Sequence, residues 1–146
     1  MELVSEAAKL LDENKMIRFD PSGNLGVTDL GRVAAHFYIQ AESVAVFNEK
    51  LDSNYSPTDS DLCQVVCCAT EFQNVRIRQE EMKEIDTLTA KCPLKVVPPV
   101  HEPSEKSYVL MQTFISRQNV RSFTLISDTN YIASNAGRVA RAMFEM

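Results

Sequence analysis

The sequence has little glycine, no tryptophan and few histidines. Its 146 residues include four glycines and two histidines. A glycine-rich loop that cradles phosphate groups is therefore hard to place, and neither G-x-x-x-x-G-K-[ST] nor G-x-G-x-x-G occurs. The metalloprotease pattern H-E-x-x-H and the hydrolase pattern G-x-S-x-G are also missing. These absences argue against nucleotide-binding, zinc-protease and α/β-hydrolase activity in this chain on its own.

The sequence also lacks a long apolar run and a basic leader. No window reaches about 18 consecutive apolar residues, the length that marks a membrane-spanning helix. The N-terminal stretch "MELVSEAAKLL" carries glutamates where a secretory signal requires lysine or arginine. We therefore expect an intracellular protein without a membrane partner.

What the chain does contain is the composition of an ordinary globular domain. Hydrophobic residues make up 45% and charged residues 24%, and the length fits one domain or a small domain with part of another. The formal net charge of −5 argues against a generic phosphate-binding surface. From Arg117 onward the balance reverses, because four arginines face two acids there. Arginine suits phosphate and base contacts, so this segment hints at a local anion-binding surface.

The cysteines are clustered, but their spacing is not that of a metal site. The sequence contains four of them: Cys63, Cys67, Cys68 and Cys92. No C-x-x-C pair is present, and His36 and His101 lie far away in the sequence, so zinc is not favoured. The cluster suits a reducing compartment, in which buried cysteines behave as small apolar side chains.

No pair of side chains suits acid–base or nucleophilic catalysis. Glu80 and Glu81 are adjacent, so they point to different faces of a helix. Nothing in the spacing brings either histidine to a cysteine. From its own residues the chain is therefore not predicted to be an enzyme.

The N-terminal 40 residues have the pattern of a helix followed by a β-hairpin. Residues 2–14 carry an apolar stripe at helical spacing that is predicted to be buried: Leu3, Ala7, Leu10 and Leu11. Residues 16–19 and 25–27 predict two short strands around the turn "PSGN". A helix and a small hairpin are how a winged-helix domain ends, with the hairpin as the wing.

The next helix begins in the segment "TDLGRVAAHFYI". Thr28 or Asp29 can cap it, because each side chain accepts from free backbone N–H groups. Its predicted buried face is apolar: Leu30, Val33, Ala34 and Phe37. Arg32 and His36 share another face, which is predicted to be solvated or hydrogen-bonded. Gly31 allows a close approach of another segment or a distorted first turn.

Further helices are predicted along the middle of the chain. Thr58 and Asp61 form a start similar to a capping box. The stripe that follows them is predicted to be buried: Leu62, Val65, Val66 and Ala69. The segment "RQEEMKEIDTLTA" has an apolar side and a charged side, which we expect to be solvated: Glu80, Glu81, Lys83 and Glu84. Residues 91–106 contain four prolines and predict a loop before a helix over 107–118.

The last segment, residues 128–146, predicts a long amphipathic helix. Its apolar stripe is continuous: Ile132, Ala136, Val139 and Met143. Its opposite face is polar: Asn135, Arg138, Arg141 and Glu145. No glycine, asparagine or proline ends this helix after Phe144, and no cap precedes the first helix at Met1. Both features predict that the chain is a piece of a longer protein.

Residues 15–39, "KMIRFDPSGNLGVTDLGRVAAHFYI", resemble a junction in nucleic-acid helicases of the Ski-two-like group. In that group a winged-helix domain runs into a helical domain of the SEC-sixty-three type. The family pattern is an "I-x-[FY]-[DE]" strand, a turn and "T-[DE]-L-G-R-x-A-[SA]-H-[FY]-Y-I", with Ala35 here where serine is more usual. The similarity continues in order through "EFQNVRIRQEEMKEIDTL", "VLMQTFISR" and "SFTLISDTNYIASNAGRVARAMFEM". It covers nearly the whole chain and is nearest to the double-cassette members.

The resemblance implies a mainly α fold in two parts. Residues 1–40 are expected to be the C-terminal part of a winged-helix domain, a helix plus a β-hairpin wing. Residues 41–146 are expected to be the N-terminal part of a helical bundle of the SEC-sixty-three type. The RecA-like domains that bind ATP and Mg²⁺ in this family are missing, so no cofactor is expected in this chain. It is therefore expected to be a non-catalytic fragment of an ATP-dependent helicase.

The resemblance also implies roles for particular residues. By position, the last helix resembles the ratchet helix that lies across the translocated strand. Asn135, Arg138 and Arg141 are then expected to contact phosphates and stack on bases, unless the arginines pair with neighbouring domains instead. Arg32 and His36 are expected to hold domains together. The expected partners are single-stranded RNA or DNA, the RecA-like domains of the parent protein and subunits of a larger complex, in the nucleus and/or cytoplasm.

Other functions stay open at the level of the sequence. One is a protein-interaction platform without nucleic-acid contact, because second cassettes of such helicases are thought to serve as docking platforms. Another is a free winged-helix DNA-binding protein, which the net charge of −5 disfavours. Binding to a single-stranded oligonucleotide distinguishes the helicase segment that guides a strand from both of these alternatives.

Overall fold

The computed structural model describes residues 2–51 and 56–146. Within them the chain forms seven α-helices and one two-stranded sheet. In chain order they are α1 (Glu2–Glu13), β1 (Ile17–Phe19), β2 (Leu25–Val27), α2 (Asp29–His36), α3 (Ala41–Lys50), α4 (Asp59–Cys67), α5 (Met82–Thr89), α6 (Pro103–Ile115) and α7 (Phe123–Glu145). Two short 3-10 turns, Thr70–Phe72 and Gln79–Glu81, lie between α4 and α5. The predicted mainly α fold is confirmed.

The hairpin predicted near the N-terminus is present. Strand β1 pairs antiparallel with β2, with Ile17 opposite Val27. Its turn is held by the Asp20 carboxylate, which accepts from the backbone and side-chain N–H groups of Asn24 and from the hydroxyl of Ser22. These hydrogen bonds lower the pKa of Asp20, the Asn24 side chain contributing most. Gly23 takes φ +87° in the turn, a conformation that suits glycine.

Helix α2 begins directly against the chain that enters the hairpin. The Thr28 hydroxyl caps it by accepting from the Gly31 N–H at 3.0 Å, and it donates to the carbonyl of Lys15 at 2.7 Å. A Cβ atom at Gly31 would lie 1.9 Å from the carbonyl oxygen of Met16. The close approach predicted for Gly31 is therefore confirmed, and the absence of a side chain there lets helix and hairpin meet.

The hydrophobic core of the chain surrounds α6, which packs against α4, α5 and α7. Eight residues of α6 are buried, more than in any other described helix. Helix α7 packs along it and buries the predicted stripe most fully at Ile132 and Val139. The predicted capping box of Thr58 and Asp61 at the start of α4 is also confirmed. A helix with so wide a buried surface is a central element of a bundle.

Several boundaries and faces differ from the sequence prediction. Helix α6 begins at Pro103, inside the predicted loop, because proline fits the first turn of a helix where its missing N–H is not needed. Helix α7 begins at Phe123, five residues before the predicted start at 128. The apolar face predicted to be buried on α1 is largely exposed, with Leu3 at 81%. Periodicity predicts an apolar face, but whether another element covers it depends on the rest of the fold.

Some expectations lie outside what the structure describes. The start of the first helix at Met1 is outside the described residues. The division into parts at residues 40 and 41 stays a prediction.

Candidate nucleic-acid interface

The three residues predicted to bind nucleic acid lie together on α7. Arg141 is exposed, and Asn135 and Arg138 are half-buried. The core side of the helix is formed by buried residues such as Ile132 and Val139. The structure therefore brings the predicted polar residues to one side of α7, away from its apolar stripe.

Arg138 connects this side of α7 to the chain between α2 and α3. Its Nη1 donates at 2.7 Å to the carbonyl oxygen of Phe37 and at 2.7 Å to that of Tyr38. Its Nη2 donates at 3.1 Å to the side-chain oxygen of Asn135, whose own amide donates to the Tyr131 carbonyl at 2.8 Å. A guanidinium has five N–H donors, and three are used in these bonds. The group is oriented by the protein and keeps donors for a further acceptor.

The carbonyls that Arg138 binds lie where α2 ends. Residue Phe37 caps the helix, and the next residue, Tyr38, takes the left-handed conformation at φ +53°. The N–H of Ile39 then returns to the carbonyl of Ala34 at 2.9 Å. Helices commonly end in this way, although the residue in the left-handed conformation is usually glycine. The last carbonyls of a helix lack partners within it, and Arg138 supplies donors from α7.

The two residues predicted to hold domains together lie on the outside of α2. Both Arg32 and His36 are exposed. Arg32 Nη1 lies 3.7 Å from the Asp29 carboxylate, and the His36 ring meets that of Phe37 edge-on at 4.9 Å between centroids. Neither side chain joins the hydrogen bonds of Arg138. Their role toward another domain stays a prediction.

A buried ion-pair cluster that was not predicted from the sequence positions α7. Lys106 Nζ donates at 2.7 Å to the carboxylates of Glu81 and Asp128 and at 2.7 Å to the carbonyl of Arg76. Arg78 Nη1 contacts the same two carboxylates, at 2.8 and 2.9 Å. The cluster joins the turn before α5 to α6 and α7. Charged residues among apolar ones in "SEKSYVLM" and "FTLISD" were the signal that could have indicated it.

Glu81 was expected on a solvated face, and that prediction is wrong. Its side chain is fully buried beside Lys106. Burial raises the pKa of the carboxyl, but the hydrogen bonds from Lys106, Thr124 and Arg78 outweigh it, so the pKa lies below its usual value. A buried carboxylate is stable here because its charge is paired and each oxygen has a donor.

Two other glutamates anchor α7 near its beginning and middle. The carboxylate of Glu84 accepts from the backbone N–H groups of Arg121 at 2.6 Å and Ser122 at 3.0 Å, at the start of the helix. The hydroxyl of Tyr131 donates at 2.7 Å to the backbone carbonyl of Glu71. Glu71 is itself buried, and its carboxylate accepts from the N–H of Gln40. Together with Arg138 these contacts hold α7 along most of its length.

A second surface feature lies on the other side of α7. Helices α4, α6 and α7 enclose an open groove of about 440 Å³ with an almost entirely apolar lining. On α7 the lining includes four small residues, Ala133, Ala136, Gly137 and Ala140, together with Ile132 and Met143. Phe114 and Ile115 of α6 form its rim and are 52% and 69% exposed. Exposed apolar surface of this kind marks a contact with another molecule or segment.

The cysteines do not form a metal site in the described part of the chain. No group of three or more histidine, cysteine, aspartate or glutamate side chains is placed to hold an ion among residues 2–51 and 56–146. All four thiols are free, and burial raises the pKa of each. In the same residues no helix combines the length and apolarity that crossing a bilayer requires.

The fold and the sequence together define a class. The chain belongs to the Sec63 Brl domain family, whose model matches residues 27–146. The matched region begins at β2 and includes every helix from α2 to α7. The expected helical domain of the SEC-sixty-three type is thereby confirmed.

The chain is also similar to short segments of much larger proteins, two of which are named helicases. It is 43% identical over 147 residues to activating signal cointegrator 1 complex subunit 3 of Bos taurus. It is 42% identical over 146 residues to the DExH-box ATP-dependent RNA helicase DExH14 of Arabidopsis thaliana. It is 38% identical over 147 residues to the U5 small nuclear ribonucleoprotein 200 kDa helicase of Homo sapiens. The alignments cover 99%, 99% and 100% of this chain and 7% of each relative.

The identities also differ between the two types of relative. The segments "IDTL" and "LISD" favour the cointegrator-complex type over the spliceosomal type on sequence alone. The identities of 43% and 38% follow the same order. The chain spans only a small fraction of these relatives, so activities of the whole proteins do not transfer to it directly.

Proposed function

We propose that this chain is a non-catalytic accessory segment of an ATP-dependent helicase, in which α7 guides single-stranded nucleic acid. The chain scaffolds the ring around the strand, and Asn135, Arg138 and Arg141 contact the strand itself. In this proposal ATP and Mg²⁺ belong to RecA-like domains of the parent protein, which acts in the nucleus and/or cytoplasm. Arg32 and His36, exposed on α2, face those domains or the subunits of a larger complex.

One observation carries the proposal: Arg141 is exposed one turn beyond Arg138 on a helix that is anchored at several points. Arginine forks bind phosphate oxygens strongly when their orientation is set in advance. The bonds of Arg138 to two backbone carbonyls provide that orientation and leave N–H donors for a phosphate. Two of the three relatives are helicases by name, which agrees with this role.

The net charge of −5 sets the expected strength of binding. A local pair of arginines on an acidic chain neutralises few phosphates. If two phosphates of a single strand are neutralised, a plot of log K for binding against log salt concentration should have a slope of about −1.4. Weak, shallowly salt-dependent binding is therefore expected from this chain alone.

The test is fluorescence anisotropy with labelled oligo(U) and oligo(dT) over a series of salt concentrations. Arg141→Ala should weaken binding by about fivefold and make the salt slope shallower, because one phosphate contact is lost. Arg121→Ala is the matched control, since Arg121 is also exposed but precedes the other end of α7. Equal effects of both variants, or no binding of the native chain at low salt, would overturn the proposal.

A second function, a protein-interaction platform without nucleic-acid contact, is favoured by the apolar groove between α4, α6 and α7. Its occupant would be an apolar helix from the rest of the parent helicase, because the relatives extend far beyond the aligned 7%. Phe114→Glu and Ile115→Glu place charge at exposed rim positions and should leave the fold intact. They should abolish co-purification with the remainder of the parent protein while oligonucleotide binding is unchanged. Retained co-purification would rule this function out.

A further inference from the structure

Tyr38 occupies an unusual place in the structure. Its backbone has φ +53°, a region that bulky residues rarely enter. Its residue surface is 83% exposed, although an aromatic side chain gains most from burial. The ring therefore adds little to the core while its backbone is strained.

The residues on both sides of Tyr38 explain how the strained conformation persists. Ile39 is buried, and Phe37 is half-buried against the core. Arg138 Nη1 binds the carbonyls of both Phe37 and Tyr38 at 2.7 Å. The Tyr38 N–H also returns to the carbonyl of Ala35 at 3.3 Å. The surroundings hold the Tyr38 backbone against Arg138 of α7 and leave the ring in solvent.

Glycine or asparagine would fit this helix end without strain. A tyrosine in their place is unfavourable for folding and gives no compensating burial. Lys15 and Arg117 take the same backbone conformation, and among these three residues Tyr38 carries the aromatic ring. Backbone strain of this kind clusters at sites that contact other molecules. Because the Tyr38 backbone carbonyl is bound to Arg138, the chemistry that suits its exposed ring is stacking on a base of a strand at that arginine.

We propose that the Tyr38 ring stacks on a base of the strand that α7 guides. This inference rests on the proposed function and adds a residue that reads the base rather than the phosphate. The strand would place a phosphate near Arg138 and an adjacent base against the ring. Stacking accepts any base because every base has a π-face, so Tyr38 contributes affinity without sequence preference.

The experiment compares Tyr38→Asn with Tyr38→Phe in the anisotropy assay and in thermal unfolding. Asparagine tolerates the left-handed conformation and removes the ring, so Tyr38→Asn should keep or raise the melting temperature and weaken oligonucleotide binding at least about fivefold. Its salt slope should stay that of the native chain, because no phosphate contact is removed. Tyr38→Phe should bind within about twofold of the native chain, since the ring is retained.

The outcomes separate this inference from the proposed function. Suppose that the native chain binds the oligonucleotide, that Arg141→Ala weakens this binding and that Tyr38→Asn does not. In that case only the proposed role of Tyr38 is wrong. If the native chain binds no oligonucleotide, the proposed function fails and the stacking role with it. A crosslink from 5-iodouridine in the oligonucleotide to Tyr38 of the native chain, mapped by mass spectrometry, provides a measurement that needs no variant. A crosslink elsewhere with none at Tyr38 would overturn the proposal.

Discussion

The ammonium group of Lys106 and the carboxylate of Glu81 lie 2.7 Å apart with both side chains fully buried. The Lys106 ammonium group also lies 2.7 Å from the carboxylate of Asp128, a residue of α7. The cluster therefore fixes the position of α7, which carries the candidate interface. Buried charges are tolerated only when paired, and each member of this cluster depends on the others.

Replacing Lys106 with methionine should strongly destabilise the chain. The variant leaves Glu81 buried without its main partner, which should lower the free energy of unfolding by about 3–5 kcal/mol. Urea denaturation followed by circular dichroism measures the change. Lys95→Met is the control, because Lys95 is exposed and should change stability by less than about 0.5 kcal/mol. A loss below about 1 kcal/mol at Lys106 would contradict the structural role of the cluster.

The stability of the chain should fall in acid because of Glu81. Its folded pKa lies below the usual value of 4.5, so its contribution is fully present above pH 4.5 and is lost as the pH falls through the folded pKa. Free energies of unfolding measured between pH 6 and pH 3 should decline most steeply below about 4.5. Glu81→Gln should make this decline shallower; an unchanged slope would mean that other carboxylates account for it.

Gly31 and Gly137 should respond to alanine in opposite directions. An added Cβ at Gly31 meets the Met16 carbonyl oxygen at 1.9 Å, whereas one at Gly137 meets nothing within 4 Å. Gly31→Ala should therefore destabilise by about 1–3 kcal/mol through overpacking. Gly137→Ala, within α7, should stabilise by about 0.5–1 kcal/mol. Melting temperatures of the two variants test this, and a neutral Gly31→Ala would argue against the close approach.

Arg138 and Arg141 should differ in their effect on folding. Arg138→Ala removes donors from the Phe37 and Tyr38 carbonyls and should lower the free energy of unfolding by about 1–3 kcal/mol. Arg141 is exposed, so Arg141→Ala should change it by no more than about 0.5 kcal/mol. Chemical denaturation of both variants gives the comparison. Equal stabilities would show that the carbonyl contacts of Arg138 do not stabilise the fold.

Cys67 should be the least reactive thiol of the native chain. It is 2% exposed, and burial holds its pKa far above that of a free thiol. Alkylation with iodoacetamide at pH 7.5, followed by peptide mass spectrometry, should label Cys67 after Cys63, Cys68 and Cys92. In urea all four should react at similar rates. Early labelling of Cys67 in the native chain would contradict its burial.

Much of the fold follows from local sequence rules. Thr28 caps α2 and Asp61 completes the capping box of α4, as their sequence positions predict. Such caps are predictable because they involve only neighbouring backbone groups. The turn at Gly23 and the small residue at Gly31 are also local requirements of backbone geometry. The polar side of α7 was predictable in the same way, since helical periodicity sets which residues share a face.

The candidate site needed more than the local rules. The sequence placed Asn135, Arg138 and Arg141 on one side of α7, but gave no sign that Arg138 binds carbonyls about a hundred residues earlier in the chain. The left-handed conformation of Tyr38 was equally hidden, because tyrosine is not the residue that normally ends a helix in this way.

The sequence by itself determined where helices and the hairpin form and which of their faces are apolar, because those properties depend on residues a few positions apart. Only the tertiary structure decided which faces are covered and which charges are paired. It buried Glu81 against Lys106, although its neighbourhood is rich in charge, and it left Leu3 exposed, although it belongs to an apolar stripe. The physical reason is that burial and ion pairing depend on which elements meet in space, and periodicity along the chain does not carry that information.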